Sequence, residues 1–495
     1  MTSDQLEREI KFDAAVDTVL PSLREMAGDG VVEQAAVRLD SVYFDTEGLD
    51  LLSRGITLRC RTGDADTGWQ LKVPTGDART EIRLEPTGSQ TAVPKELATL
   101  VTGVRRGKAL RHIVTVRTDR ALHRIMDGHG EVVVEVADDR VDAVSPGRRA
   151  ATLSSWREIE AELGTAGTED TLTAVAELLT GAGAARSASP NKVATALGIS
   201  PDAATNEASD GSTGGKPTAG DVIRGYLAEQ DDALVTGDLS LRRGLGGIHP
   251  TRVATRRMRS TLRIFAAYFD ADRAAAFDTE LAWYAAVLGE VRDREVQRVR
   301  FADAIGELPA EQVLGPVAAR IEQVLLTEQV QHQQALDKVM SGRRYLALIR
   351  ESGLWATNPP FTENAARKSG ALRDQVRRAG KKVSKHLAAG LASGDDEELH
   401  KARKAGKRAR YAAELAHPVL GKKTKNAIDA YKDLQDILGD LQDGVVAADV
   451  IRRIASGTAG QPDENGFTYG LLYANEIHRS EISRQQARTW KAPPL

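Results

Sequence analysis

Cysteine is almost absent from this 495-residue chain, in which Cys60 is the only one. A single cysteine excludes an intrachain disulfide and favours a reducing compartment. No stretch approaches the ~20 consecutive apolar residues that a membrane-spanning helix needs. The acidic N-terminal segment also lacks the apolar region of a signal peptide. We therefore predict a cytoplasmic protein with no membrane partner.

An excess of charge of one sign is also missing, since the formal net charge is −3. This balance argues against a protein that coats nucleic acid over its whole surface. The length predicts two or three domains. Residues 1–198 alternate like strands, residues 199–219 are polar and Gly-rich like a flexible linker, and residues 220–495 have helical periodicity.

The charged residues of the first part are ordered along single faces of predicted strands. Glu7, Glu9 and Lys11 are two residues apart, so they share one face of a strand. Glu158, Glu160 and Glu162 repeat this spacing later. One such strand alone is most often a solvated sheet face, but rows of carboxylates on an open face repel one another. Arginines and lysines across a closed barrel would offset that repulsion.

We therefore predict an α+β protein. Its N-terminal domain would be an eight-stranded antiparallel β tunnel or barrel with flanking helices, and an all-α domain would follow. A barrel of eight strands has a lumen about wide enough for side chains or one small ligand. A charged lumen suits a polyanion and the divalent cation that accompanies it.

An ordered series of motifs in residues 1–198 resembles the CYTH, or triphosphate tunnel metalloenzyme, superfamily. Glu7-x-Glu9-x-Lys11 alone is a weak signature, whereas the whole series is specific. The motifs that follow it are Tyr43-Phe44-Asp45-Thr46, Leu58-Arg59-Cys60-Arg61, Trp69-Gln70-Leu71-Lys72, Arg79-Thr80-Glu81, Arg117-Thr118-Asp119, Glu135 to Asp139, and Glu158-Ile159-Glu160-Ala161-Glu162.

The resemblance implies metal-dependent hydrolysis of inorganic triphosphate or short polyphosphate. It implies catalytic roles for Glu7, Glu9 and Lys11, with the lysine contacting the terminal phosphate or orienting the attacking water. The implied phosphate-binding residues are Arg59, Arg61, Lys72, Arg79 and Arg117. The implied ligands of Mg²⁺ or Mn²⁺ are Glu7, Glu9, Glu81, Asp139, Glu158 and Glu160. Hard carboxylate oxygens favour these ions over zinc.

Three strands leave the assignment open. Glu85 follows Glu81 in the same predicted strand, so either Glu81 alone or Glu81 together with Glu85 could reach a metal. Arg117 is preceded by Thr115 where related sequences often carry a second basic residue. Strand alternation places Asp139, rather than Asp138, on the face of Glu135, and we favour Asp139.

The helical part contains an internal repeat. The segment from His249 to Arg259 aligns with the segment from His400 to Arg410, and Leu288-Gly289 aligns with Leu438-Gly439. The offset between the copies changes by only one residue between these two points. We therefore predict two pseudo-symmetric helical bundles.

Each copy carries a cationic stripe. On an α-helix, Arg252, Arg256, Arg259 and Arg263 fall within about 80° of one another. His400, Arg403, Lys407 and Arg410 form the matching stripe of the second copy. Like charges at this spacing cost a few tenths of a kcal/mol each, so the stripes predict an anionic partner. The alternative is a solvated face paired with acids of neighbouring helices. His249 and His400 are not expected to bind metal, because neither has a ligand partner three or four residues away.

Residues 220–495 resemble the CHAD, or conserved histidine α-helical, domain. The resemblance implies polyphosphate binding by His249, Arg252, Arg256, Arg259, Arg263, His400, Arg403, Lys407 and Arg410. Neither stripe has an aromatic residue on its cationic face, and base stacking requires one, so polyphosphate is favoured over nucleic acid.

The sequence thus predicts an inorganic triphosphatase tethered to a polyphosphate-binding domain. Such a protein could associate with polyphosphate granules. Three alternatives stay open: an adenylate cyclase of the same superfamily, a thiamine triphosphatase, and a non-catalytic, granule-associated polyphosphate-binding protein. The oligomeric state does not follow from the sequence.

Overall fold

The computed structural model describes residues 3–63, 67–76, 78–86, 90–147, 150–199, 216–458 and 465–494, without the side chains of residues 3–7 and 458. The chain divides into two compact units, Met1–Thr213 and Gly214–Leu495. Most of the expected linker, residues 199–219, lies outside the described residues. None of the described helices is long and apolar enough to cross a membrane.

The first unit is built on one antiparallel sheet. Its strands are β1 Ser3–Glu7, β2 Glu9–Ala14, β3 Val32–Asp45, β4 Thr57–Thr62, β5 Gly68–Thr75, β6 Ala78–Leu84, β7 Arg111–Met126, β8 Val132–Ser145, β9 Thr152–Leu163 and β10 Ala185–Arg186. They are hydrogen-bonded in the order β1-β6-β5-β4-β3-β7-β8-β9-β2-β10. The antiparallel sheet was predicted correctly, but ten strands are described where we expected eight.

The sheet curls because its first two strands lie at different places in this order. β1 pairs with β6, whereas β2 pairs with β9. Only Arg8 separates β1 from β2 along the chain, so the two regions of the sheet must approach each other. The hydrogen-bonded order of the described strands does not close on itself. The covalent link at Arg8, rather than a continuous ladder, connects these two regions of the sheet.

Strand alternation sorts apolar and charged side chains to opposite faces of this sheet. Phe12, Val136 and Ile159 are buried against Val175 and other apolar residues of α3. The residues that alternate with them along the strands, including Lys11 and Glu160, face the opposite way, into a cavity. In this part of the sheet the outer face thus supplies a hydrophobic core and the inner face lines the cavity. Tyr43, which also lines the cavity, belongs to a second apolar cluster with Val114 and Val116.

Within the described residues, this unit has four α-helices: α1 Lys95–Leu100, α2 Thr102–Arg105, α3 Glu169–Gly181 and α4 Lys192–Leu197. The short α4 packs Val193 and Ala196 into a cluster with Tyr43, Val114 and Val141. Asn191 caps the helix, since its side chain accepts a hydrogen bond from the Ala194 amide at 2.9 Å. These contacts fix the first residue of α4, Lys192, at the cavity.

The second unit is helical, as predicted. Its α-helices are α5 Ala219–Arg242, α6 Ile248–Ile264, α7 Ala271–Gly306, α8 Val317–Met340, α9 Arg343–Thr357, α10 Leu372–Ser393, α11 Asp396–Leu420, α12 Lys422–Thr458 and α13 Gly466–Thr489. The repeat places α6 and α7 in the first copy and α11 and α12 in the second. The cationic helices α6 and α11 pack against each other.

The two repeated glycines have a structural role in this packing. A Cβ on Gly289 would lie 3.2 Å from Nη2 of Arg252, and a Cβ on Gly439 would lie 3.7 Å from Nη2 of Arg403. Each glycine therefore leaves room for the equivalent arginine of its own copy.

Candidate functional sites

A small cavity lies on the charged inner face of the sheet, with a volume of about 80 Å³. Eight cationic side chains line it: Lys11, Arg59, Arg61, Lys72, Arg79, Arg83, Arg120 and Lys192. Five acidic side chains line it: Glu9, Glu81, Glu135, Glu160 and Glu162. The other lining residues are Tyr43, Thr57 and Asn191. Among the described residues, the lining therefore has more positive than negative groups and no aliphatic side chain.

An acidic cluster is formed by Asp139 of β8 with Glu158 and Glu160 of β9. One carboxylate oxygen from each lies within 4.8 Å of the others, a spacing that could hold a metal ion. The ammonium group of Lys192 contacts all three, at 3.0 Å from Asp139, 2.5 Å from Glu158 and 2.8 Å from Glu160. Burial disfavours the charged lysine, but the three carboxylates outweigh it and raise the pKa of Lys192.

Two more cations neutralise this cluster. The Nζ of Lys11 lies 2.5 Å from Glu160, and Arg120 lies 2.7 Å from Asp139 and 2.9 Å from Glu160. Burial would raise the pKa of Glu160, but Lys11, Lys192 and Arg120 hold it well below its usual value. Three carboxylates and three cations thus form a compact, charge-balanced network.

A second group of ion pairs lies on the strands β5, β6 and β2. The fully buried carboxylate of Glu81 lies 3.1 Å from Lys72 and 2.7 Å from Arg83. Arg79 lies 3.4 Å from Glu9. These contacts join β6 to β2 across the cavity, so they also support the curled shape of the sheet.

Arg59 differs from these cations in its partners. Its Nε donates to Oε1 of Gln70 at 2.6 Å, and its Nη1 donates to the hydroxyl of Tyr43 at 3.1 Å. Within the described part of the chain, no carboxylate forms an ion pair with it. Neutral groups therefore orient Arg59 in the lumen and leave its charge available.

Glu162 is the least compensated acid of the lumen. It lies opposite Glu9 on one side and Glu135 on the other in the strand register. Burial raises the pKa of Glu162 to about 6; Lys72 opposes this shift, and Glu9 and Glu135 add to it. A carboxyl with this pKa gains or loses its proton near physiological pH.

The structure brings most of the expected tunnel residues to the cavity. Lys11, Glu9, Arg59, Arg61, Lys72, Arg79, Glu81 and Glu160 line it, and Asp139 and Glu158 stand directly behind it in the acidic cluster. The side chain of Glu7 lies outside the described residues, although its backbone pairs with Arg79.

The placement of Arg117 in the lumen was wrong. Its side chain is 54% exposed and pairs with Asp40 at 3.0 Å on the outer face of β7. Arg120 alternates to the other face of β7 and points inward instead.

Lys192, at the first position of α4, was missed in the sequence analysis. The available signal was a lysine in the first turn of a helix, where the helix dipole disfavours a cation unless carboxylates surround it.

The second unit has a basic pocket of about 370 Å³ between α6 and α11. Seven of its lining residues were expected: Arg252, Arg256, Arg259, Arg263, His400, Arg403 and Lys407. It also contains Ser260, Lys404, Arg408 and Tyr411. The expected residues His249 and Arg410 are not in this lining, and Arg410 pairs with Glu414 at 3.2 Å.

Neighbouring helices neutralise part of each stripe, so the alternative of a face paired with acids of neighbouring helices holds for several of its residues. Arg252 lies 2.7 Å from Asp293 and the equivalent Arg403 lies 3.3 Å from Asp443. Asp278 pairs with both Arg259 and Arg263.

Arg256 and Lys407 are different: no acidic side chain of the described residues forms an ion pair with either. Burial lowers the pKa of Lys407 to about 7, and Arg403 and Arg256 add to the effect. Burial likewise lowers the pKa of Arg256. The two equivalent positions of the repeat thus form an uncompensated cationic centre.

The aromatic side chain in this pocket does not offer a stacking surface. Tyr411 is 2% exposed, and the guanidinium groups of Arg257 and Arg410 lie 5.5 Å and 5.1 Å from its ring centre.

The two histidines of the repeat, His249 and His400, both have a lowered pKa because of burial and nearby cations.

Comparison with known proteins gives two family matches. The CYTH domain matches residues 5–197, and the CHAD domain matches residues 225–452. Two uncharacterised proteins of Mycobacterium tuberculosis strains are each 35% identical over 502 residues, covering 97% of this chain and 94% of each relative. Among solved structures, PptA from Streptomyces chartreusis is 23% identical with a TM-score of 0.47, covering 55% of this chain and 99% of its own. The CHAD domain of the plant Ricinus communis is 23% identical with a TM-score of 0.45, covering 57% and 95%.

Proposed function

Since the chain belongs to the family in which a CYTH domain precedes a CHAD domain, we propose that it is a metal-dependent inorganic triphosphatase with a polyphosphate-binding helical unit. The tunnel hydrolyses tripolyphosphate or the ends of short polyphosphate chains. The helical unit holds the polymer. The observation that carries this proposal is the lumen in which neutral partners orient Arg59 while more cations than acids surround it.

The cations of the lumen supply what phosphoryl transfer needs. Negative charge is spread over the phosphoryl oxygens in the transition state, and preorganised cations stabilise it. Arg59 and Arg61 of β4 and Lys72 of β5 bind the phosphate chain. Lys11, which burial alone would discharge, keeps its proton because Glu160 and Glu9 raise its pKa, so it contacts the chain as a cation.

The acidic cluster fits a divalent cation in its donor type. Asp139, Glu158 and Glu160 present only carboxylate oxygens, the ligands that Mg²⁺ and Mn²⁺ prefer. These residues, with Glu9 near them, would hold the ion, which when bound supplies positive charge to phosphate oxygens and a more acidic water. Lys192 contacts the same carboxylates, so a bound ion would compete with its ammonium group for their oxygens.

The lining favours an inorganic substrate over thiamine triphosphate or ATP. Tyr43 is the one aromatic residue among the described lining, and its hydroxyl is engaged by Arg59. An adenine or thiamine ring would find no aliphatic side chain there. This lining also argues against an adenylate cyclase, which must hold the adenosine part of ATP.

The helical unit is suited to a phosphate polymer because of Arg256 and Lys407. Two cations without acidic partners in one pocket are costly unless an anion neutralises them. Stacking of nucleic-acid bases needs exposed rings, and Tyr411 is buried, so polyphosphate is the favoured polymer. A non-catalytic polyphosphate scaffold, at granules or elsewhere, remains the second candidate. The cations of the lumen would bind a phosphate chain equally well in a protein that does not hydrolyse it.

Phosphate release from tripolyphosphate, ATP and thiamine triphosphate tests the proposal, with Mg²⁺, with Mn²⁺ and with a chelator. We expect metal-dependent turnover of tripolyphosphate well above that of the two organic substrates. Glu160→Gln should reduce it by at least a hundredfold, because it removes one acidic ligand and the partner of Lys11. Glu135→Gln, in the same lumen but outside the acidic cluster, is the matched control. No turnover by the wild type would favour the scaffold, and equal turnover by Glu160→Gln would exclude the acidic cluster from the reaction.

A further inference from the structure

A second basic pocket lies beside the first in the helical unit, with a volume of about 720 Å³. It is formed by the end of α6 together with α10 and α11. The helices α10 and α11 pack along each other, and both contribute cations to it. α10 contributes Arg378, Lys381 and Lys382, and α11 contributes Lys404 and Arg408.

These five cations have no acidic partner among the described residues. The acids on the same two helices pair with other residues, two of which, Lys401 and His386, also line this pocket. Glu398 contacts Lys401 at 2.9 Å and His386 at 3.0 Å, and Asp374 is 4.0 Å from Arg377. Like charges on two facing helices repel each other, and a structural surface would intersperse acids among them.

The two pockets are parts of one continuous surface. Arg263, Lys404 and Arg408 line both of them. An anionic chain that occupies the first pocket, at Arg256 and Lys407, can therefore pass these three shared residues and reach Lys381 and Lys382 without leaving the cationic surface.

We propose that the second pocket is a separate subsite for polyphosphate, which only a chain longer than the first pocket can reach. This proposal rests on the proposed polyphosphate binding by the helical unit. It makes the unit selective for chain length, because short chains gain contacts in the first pocket alone. The described lining of the second pocket contains no Phe, Tyr or Trp, the rings on which single-stranded nucleic acid mainly stacks.

The test measures the affinity of the full chain for tripolyphosphate and for long-chain polyphosphate, in chelator so that neither is hydrolysed. The variant Lys381→Glu with Lys382→Glu should weaken the binding of long chains at least tenfold. Its affinity for tripolyphosphate should stay within about twofold of the wild type. The slope of the logarithm of the binding constant against the logarithm of salt concentration should become shallower by roughly 1 to 2 for long chains, by analogy with other phosphate polymers.

The matched control is Lys422→Glu with Lys423→Glu, an adjacent pair of exposed lysines outside both pockets, which makes the same change in net charge. It should leave both affinities nearly unchanged. An equal loss for both chain lengths, or no loss for either, would overturn the separate subsite. A wild type that binds neither chain would instead refute the proposed function of the helical unit. Loss of single-stranded RNA binding with polyphosphate binding intact would assign the subsite to nucleic acid and also overturn the proposal.

Discussion

Arg256 and Lys407 are equivalent residues of the two repeat copies, and both line the same pocket without an acidic partner among the described residues. Their neighbours along the stripes do have such partners: Arg252 pairs with Asp293 and Arg403 pairs with Asp443. The repeat therefore neutralises the flanking Arg252 and Arg403 and leaves Arg256 and Lys407 without an acidic partner.

Replacing these two cations should separate binding from stability. We expect Arg256→Gln with Lys407→Gln to weaken polyphosphate binding at least tenfold for both short and long chains. The same change should stabilise the helical unit by about 1 kcal/mol, because it relieves repulsion between like charges. Titration with polyphosphate and urea unfolding followed by hydrogen exchange in α6 and α11 measure the two effects. Lower stability with unchanged binding would show that the pair has only a structural role.

The affinity of the helical unit for polyphosphate should depend on pH through Lys407. The groups facing it are Arg403 on its own helix, Arg252 and Arg256 on α6, and Asp443 on α12. Its pKa is about 7 in the free protein, and a bound polyanion raises that pKa, so the complex holds the proton to higher pH. Affinity is therefore greatest below pH 7 and falls above it, by at most roughly tenfold per pH unit for one proton.

Lys407→Arg should flatten this dependence, since arginine keeps its charge throughout the range. Lys404→Arg, at an exposed position of the same helix, should leave it unchanged. Calorimetry in two buffers of different ionisation enthalpy would detect the uptake of the proton. The same steep profile in Lys407→Arg as in the wild type would assign the titration to another group.

Lys192 is predicted to be essential for the fold of the first unit in the absence of metal. Lys192→Met leaves Glu158 without an ion-pair partner among the described residues, whereas Asp139 and Glu160 keep Arg120. An uncompensated buried charge typically costs about 3–5 kcal/mol. Hydrogen exchange in β8 and β9 should report this loss, and Mg²⁺ or Mn²⁺ should restore part of the protection by binding the same carboxylates. Lys108→Met, which removes an exposed partner of Asp50, is the control. Metal that leaves exchange in Lys192→Met unchanged would mean that these carboxylates do not bind it.

The sequence was sufficient for the lumen wherever only one face of a strand is charged. β9 carries Glu158 and Glu160 on one face and the apolar Ile159 and Ala161 on the other, so alternation predicts the inward face. β7 carries charge on both faces: Arg117 and Asp119 pair with Asp40 and Arg38 across β3 on the outside, while Arg120 points inward. Alternation alone cannot distinguish two charged faces, and this explains the wrong placement of Arg117.

Contacts between elements distant in sequence were beyond the reach of periodicity. Lys192 enters the site from a helix that is packed into the sheet by Val193 and Ala196. Likewise, the acids that neutralise the α6 stripe come from α7, and a single-helix pattern does not place them opposite the stripe. Ten strands are described rather than eight because β1 and β2 read as one continuous strand in sequence, interrupted only at Arg8, and because β10 has only two residues.

The inward position of Arg59 on β4 and the outward position of Arg117 on β7 give a direct test of the lumen. Arg59→Ala should reduce kcat/KM for tripolyphosphate by about 10²–10³-fold, the effect of removing one preorganised donor to the transition state. Arg117→Ala should change it less than twofold, because this arginine lies on the outer face. Steady-state phosphate release measures both. Comparable losses in the two variants would contradict the inward and outward assignment.

The neutral partner of Arg59 provides the last prediction. Gln70→Glu replaces the amide that accepts from Nε of Arg59 at 2.6 Å with a carboxylate of nearly the same shape. Charge-assisted hydrogen bonds are the stronger ones, so the new ion pair neutralises Arg59. KM for tripolyphosphate should therefore rise about tenfold or more while the fold is retained. Gln34→Glu, at an exposed position of β3, makes the same change in net charge and should leave KM unchanged. If Gln70→Glu binds tripolyphosphate as well as the wild type, the free charge of Arg59 is not used in substrate binding, and the reason we give for its neutral partners is wrong.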